Sequence, residues 1–196
     1  MPIQRLARLN DIIFAVAMTI LAITFDPIPL DEVSPETAVK LLLQQLPAMG
    51  IYALTFITLV FYWFTHVHQF KHYQKTDAIH SFLCLFALFF VVLLTYASDL
   101  SGSYEGIFAI DLFYSLAAIG VGIFSTTAWI YGTQNRRLVA SDLSDETIRH
   151  IRQESYIEPI IYLLAIVIGW LIPGGWSVTV ILGFPMAFLL QATLSR

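Results

Sequence analysis

Charge is scarce in this sequence: Asp, Glu, Lys and Arg together make up 12% of its 196 residues, against about 25% in an ordinary soluble domain. That shortage excludes a normally solvated surface. Positive charge is scarcer still, with ten Lys and Arg against fourteen Asp and Glu and a net charge of -4. A pI near 5.6 leaves no basic surface for nucleic acid, which is therefore not a partner we expect. The single cysteine, Cys84, excludes an internal disulfide, and its place in an apolar run reads as that of a small packing residue. No nucleophile elbow, phosphate-binding loop or paired carboxylates occur, so the sequence offers no enzyme site and implies no cofactor. Internal repeats and low-complexity stretches are also missing, and an inverted-repeat transporter finds no support.

Apolar residues dominate instead. They form 58% of the chain and raise its mean hydropathy to +0.75. A membrane-crossing helix needs roughly 20 apolar residues, at 1.5 Å rise each, to cover about 30 Å of hydrocarbon. Apolar runs cover about 7–25, 46–68, 79–98, 107–132, 157–172 and 176–194, each broken from the next by charged, Pro or Gly residues. The expected fold is all-α: an integral membrane bundle of six transmembrane helices forming one domain over 1–196. The fifth run is short, and Pro173, Gly174 and Gly175 after it turn the last two into a tight helical hairpin. Arg5 and Arg8 before the first run resemble a signal-peptide start, but no small-residue cleavage site precedes Pro27, so we read a retained first helix.

Basic residues sort cleanly by side. Arg5, Arg8, Lys71, Lys75, Arg136, Arg137, Arg149, Arg152 and Arg196 all fall on one side of six alternating spans. The other side has Asp26, Asp31, Glu32, Glu36, Asp99, Glu105 and Asp111, with Lys40 its only base. The excess of Lys and Arg marks the cytoplasmic side and places both termini there. The longest connector, 133–156, mixes both signs and reads as solvated, with Ser144, Asp145 and Glu146 marking a helix start on the cytoplasmic surface.

Asp11 is the residue of the first span that asks for explanation, because an ionisable group at the membrane boundary needs a partner. Arg8, three residues earlier, shares its helical face and would supply an interfacial ion pair. Beyond Asp11 the small residues Ala15, Thr19 and Ala22 form one stripe, and Val16, Ile20 and Ile23 form an overlapping apolar one. Either stripe serves as an ordinary packing face or as the lining of an apolar axis. His68 and His72 have metal-ligand spacing, but five histidines and no matching ligands on other helices make a structural metal site unexpected. Trp63 and His66 read as interfacial hydrogen-bonding residues. Gly120, Val121 and Gly122 repeat the glycine spacing of a carbonyl filter without a re-entrant half-helix before them, and read as close helix packing.

These residues together resemble a known family, the lysosomal potassium channel transmembrane protein 175 and its shorter prokaryotic relatives. The family hallmark is Arg, three residues, then Phe, Ser, Asp. Arg5, Leu9, Asn10 and Asp11 stand in that register, with Leu9 and Asn10 replacing Phe and Ser. The match continues through Ile12 to Leu21, then Trp63, His66 and Phe70, then Lys75, Thr76 and Asp77. A polar Asn of the family's third helix is replaced by Cys84. The resemblance implies a homotetramer with the first helices around the pore, potassium ions and membrane lipid as partners, and a prokaryotic plasma membrane as its place. It implies Val16, Ile20 and Ile23 as apolar constriction rings, and Thr19 as a hydroxyl layer that potassium meets transiently. Arg5, Asn10, Asp11, Trp63, His66 and Asp77 would hold helix packing around that pore. The expected function is a passive potassium-selective cation channel. Two other readings stay open: a proton-coupled secondary transporter using Asp11 or a histidine, and a membrane scaffold without transport.

Overall fold

A computed structural model describes residues 2–23, 34, 37–104 and 106–194, the last eight of these in backbone only. Asp26, Pro27, Asp31, Glu32, Glu36, Glu105 and Arg196, all used above, lie outside the described residues, as does the end of the first apolar run. The described chain is α-helical: α1 (Ile3–Ile20), α2 (Ala38–Gln44), α3 (Leu46–His72), α4 (Ala78–Ser103), α5 (Phe108–Thr133), α6 (Asp145–Glu154), α7 (Ile157–Leu171) and α8 (Gly175–Leu194). One isolated bridge, Tyr73 to Val139, is the extended pairing among the described residues. Five segments are long and apolar enough to cross a membrane, and Gly175–Met186 is a shorter apolar helix beside them.

The boundaries follow local chemistry. Asp77 caps α4 by accepting the His80 N–H at 2.9 Å, and Ser144 caps α6 by accepting the Thr147 N–H at 3.1 Å. Pro47 sits in the first turn of α3, where its missing N–H costs nothing. After α5, Asn135 and Arg136 take left-handed φ values of 54° and 55° and reverse the chain. Gly174, at φ 75°, does the same between α7 and α8 without a side-chain penalty.

Two interior layers join the helices. One end of the bundle gathers Tyr73, Trp129, Leu138, Val139 and Ile151, with Leu6, Cys84 and Ala128 packed together nearby. Cys84 is thus the buried packing residue expected. Deeper in, hydroxyls link helices that otherwise meet through apolar surface: Thr55 bonds Ser98 at 2.8 Å and Tyr114 at 2.7 Å, and Thr58 bonds Tyr162 at 2.7 Å. Tyr62 donates to the Ala118 carbonyl at 2.8 Å, and Trp176 to the Ser115 hydroxyl at 2.8 Å. Such bonds fix which helix faces meet, because a polar group without a partner is costly in hydrocarbon.

Three expectations change. The helix α2 was not anticipated; its seven residues are too few for a periodic signal. The 133–156 connector is docked and not a solvated loop, with Leu138, Val139 and Ile151 buried and Trp129 donating to the Ile148 carbonyl at 3.1 Å. The short fifth span gains length because α6 runs into α7 across only Ser155 and Tyr156.

Gly120 and Gly122 are packing glycines, as read from the sequence. A side-chain carbon at Gly120 would meet the Phe90 ring, and one at Gly122 the Pro159 ring.

Candidate functional site

The face of α1 is divided along its length. Leu6, Asn10, Phe14 and Ala17, then Leu21 in the short 3-10 turn Leu21–Ile23, point into the subunit. The opposite side is bare: Ile12 is 59% exposed, Val16 49%, Ile20 43% and Ile23 76%. With about 100° between successive residues, positions 12, 16, 19 and 20 fall within a sector about 100° wide, on the side of the helix away from the buried set. A helix between bulk lipid and core would also expose apolar residues, but α1 adds Thr19 and the small Ala15 to that face. Thr19 donates its hydroxyl proton to the Ala15 carbonyl at 2.8 Å. Its oxygen therefore presents lone pairs outward and has no proton left to give.

At the basic end of this face, Asp11 accepts the Trp63 indole N–H at 3.0 Å. The anticipated Arg8–Asp11 ion pair does not form; the ion pairs among the described residues are His68–Glu154, Arg136–Asp145 and His150–Glu154. An indole N–H delivered from α3 fixes the carboxylate without any charge partner. His66 lies one turn further along α3, 2% exposed, with its ring 5.2 Å from Phe14 and Nδ1 3.0 Å from the Tyr62 carbonyl. Asn10 is buried and donates to the Leu6 carbonyl at 2.9 Å, while its Oδ1 has no partner. Arg5 is exposed on the outer side of the first turns.

Asp77 stands apart from that group. Besides capping α4, it accepts the Tyr131 hydroxyl at 2.8 Å, tying the start of α4 to the end of α5. Partial burial alone would push its carboxyl up, but the His80 N–H, the Tyr131 hydroxyl and the charges of His80 and Arg137 together hold it below the usual carboxylate range. The sign follows directly: a depressed folded value means stabilisation that is complete above the ordinary Asp range and lost as pH falls through the lower folded value. Asp77→Ala will lower stability by about 1 kcal/mol, the typical worth of an N-cap. It will also flatten the acid limb of a melting-temperature profile; equal acid limbs in both proteins would show that Asp77 has no part in it.

The structure brings Asp11, Trp63 and His66 together at the α1–α3 seam, buries Asn10 on α1 without a bond to α3, and sets Val16, Thr19, Ile20 and Ile23 along the bare face. His68 and His72 do not converge on a site. His68 turns to Glu154 at 3.5 Å, and among the described residues no three His, Cys, Asp or Glu side chains gather in a way that would hold a metal ion. The sequence reading missed Ile12, which extends the bare face by a turn, and Glu158, a buried acid in α7. Ile12 lies on the Val16–Ile20 spacing and was legible; Glu158 carries no local signal.

Known proteins share part of this sequence and its fold. Residues 5–94 match the family model described as the endosomal/lysosomal potassium channel TMEM175. That stretch holds the α1 face, the Asp11–Trp63 bond, His66 and Asp77. A chicken (Gallus gallus) protein named endosomal/lysosomal proton channel TMEM175 is 24% identical over 175 residues, covering 85% of this chain and 34% of that protein. The chain thus spans about a third of the length of that curated relative. Among solved structures, a lysosomal potassium-selective channel TMEM175 homologue from Chamaesiphon minutus superposes with a TM-score of 0.76 at 18% identity, over 98% of this chain and 96% of that one. At that identity the likeness is one of fold.

Proposed function

We propose, because residues 5–94 match the TMEM175 channel family, that this chain forms a potassium-selective cation channel in which four copies set the bare face of α1 around a central axis. The observation that carries this reading is the exposed stripe of Ile12, Val16, Ile20 and Ile23 on a helix whose other side is fully packed. Branched aliphatic rings offer an ion no oxygen, so they constrict and dewet the path. Passage then favours the ion that loses or distorts its hydration shell at lower cost, which is potassium over sodium. Thr19, with its lone pairs outward, supplies one oxygen per copy between the rings and lowers that cost. Asp11, Trp63 and His66 seat α1 on α3, Arg5 and Asn10 serve the same helix from its first turns, and Asp77 secures the turn that follows. The basic end faces the cytoplasm by the distribution of Lys and Arg, in a prokaryotic plasma membrane.

The test is current through a bilayer containing the purified protein, with potassium on one side and sodium on the other. A reversal potential displaced toward potassium supports the reading. A flux that saturates and is coupled to protons would establish a transporter, and no flux at any potential a scaffold. The ring at Val16 has a graded expectation of its own. Valine is one methylene shorter than isoleucine, so Val16→Ile will narrow the constriction, lower single-channel conductance and sharpen selectivity. Unchanged conductance and selectivity would remove Val16 from the constriction.

A further inference from the structure

Glu158 has no role in a pore lined by α1, yet it is the most deeply buried acid among the described residues, 2% exposed. It lies at the start of α7, in the seam with α3 and α5. Tyr62 of α3 is close enough to interact with it electrostatically, and the neighbouring Pro159 packs on Gly122 of α5. Interior acids in a membrane bundle are uncommon because an unpaired charge there is strongly disfavoured.

The polar side chains at this end of α3, α5 and α6 bond to groups other than Glu158. Tyr62 donates to the Ala118 carbonyl at 2.8 Å, Gln69 to the Ser155 hydroxyl at 3.1 Å and Ser125 to Gln69 at 3.3 Å. Thr126 donates to the Ser155 carbonyl at 3.1 Å, and Ser155 to the Ile151 carbonyl at 2.7 Å. A hydroxyl has one proton, so none of these hydroxyls is left for the carboxylate, and the Gln69 amide is turned to Ser155. A helix start would ordinarily offer backbone donors, but the next residue, Pro159, has no N–H. Oε2 of Glu158 is buried and has no hydrogen-bond partner. No ion pair among the described residues includes it.

A route to water begins one turn earlier. Glu154 interacts electrostatically with Glu158 and is 18% exposed, held 3.5 Å from His68 Nδ1 and 3.5 Å from His150 Nδ1. Both imidazoles are about half exposed, at 53% and 46%. The titratable groups around Glu158 are Tyr62 from α3, Glu154 from α6 and Tyr162 one turn on in α7, with Tyr114 of α5 beyond Tyr162. The described side chains of α8 include none, and His66 of α3 is turned toward Phe14 of α1.

We infer that Glu158 is a reversible proton-binding site in the body of the subunit, loaded from solution through the His68–Glu154–His150 cluster. The proton leaves a solvent-exposed imidazolium for the Glu154 carboxylate and passes to Glu158. The imidazole then recovers its proton from water. Loading removes the buried charge and turns Oε2 into a donor, so the α3–α5–α7 seam reports the pH on the side where α6 lies. This site does not depend on conduction and is read without measuring current.

The experiment is infrared difference spectroscopy of the full chain in lipid vesicles, stepped from mildly basic to mildly acidic pH, on wild type and the isosteric variant Glu158→Gln. We expect a neutral carboxylic-acid carbonyl band that grows with acidification, shifts in heavy water and is lost in Glu158→Gln. Carbon-13 glutamate labelling of wild type and of Glu154→Gln assigns the same band without relying on the folding of the Glu158 variant. Label-shifted intensity that persists in Glu154→Gln supports the site. Superposable spectra of wild type and Glu158→Gln, or a labelled band indifferent to pH, would overturn it.

Discussion

A channel with Asn in place of Ile23 will pass sodium almost as readily as potassium. Ile23 is the barest of the four aliphatic residues on α1, at 76% exposure, and contributes next to nothing to the interior of its own subunit. On the proposed pore, substitution there changes the axis and leaves the fold alone. A ring of isoleucines has no lone pairs; a ring of carboxamides has two acceptor sites and two donors per copy and holds water in place. Ions then cross with hydration largely intact, and the difference between potassium and sodium shrinks. A tenfold preference corresponds to about 1.4 kcal/mol, and a loss on the order of tenfold is the expected size, since a polar ring removes the dewetting barrier. The reversal potential between potassium and sodium solutions will move toward zero while the melting temperature stays put. A variant that retains its reversal potential would show that the constriction lies elsewhere on the chain.

The second large effect is on stability. Gly122→Ala places a methyl group against the Pro159 ring, and Gly50→Ala places one where nothing lies within 4 Å. The pyrrolidine ring is fixed to its own backbone and cannot swing away, so α5 and α7 must separate along their contact. Overpacking of this kind costs about 1–3 kcal/mol. The Gly50 variant should instead be neutral or gain up to about 1 kcal/mol from helix propensity. Thermal unfolding in one detergent will rank the pair: Gly122→Ala melting several degrees below wild type, Gly50→Ala at or above it. Equal melting temperatures would mean that the α5–α7 contact yields without strain. Gly120→Ala is expected to be milder, because the Phe90 ring it meets sits on a rotatable side chain.

What was legible in the sequence was what repeats or accumulates. Apolar runs of spanning length gave the helices, and the one-sided distribution of Lys and Arg pointed to an orientation. The Ser144 cap gave the start of α6, and the spacing of Val16, Ile20 and Ile23 gave a common face. What escaped depends on neighbours far away in the chain. Asp11 was read with Arg8 because both lie on one helix, whereas its donor is Trp63 on α3, 52 residues on. The docking of 133–156 rests on Trp129, Tyr73 and Val139 finding one another, and no local period announces that. A lone glutamate at the edge of an apolar run looks like an interfacial residue until the helices around it are known, which is why Glu158 passed unnoticed. The match to the family sharpened the α1 residues for the opposite reason: their meaning lies in a motif and not in a period.

The interior hydroxyl bonds join α3, α4, α5, α7 and α8, and α1 takes no part in them. Among the described side chains its one hydrogen bond to another helix is Asp11 to Trp63. Among the described residues, the rest of what seats α1 is contact between aliphatic and aromatic surfaces, which resist being pulled apart but have no preferred angle. Mechanically the subunit is a braced frame with a slat pinned near one end. Any roll or tilt about that pin would move the far end, where Ile20 and Ile23 stand, through the greater distance while the frame keeps its shape.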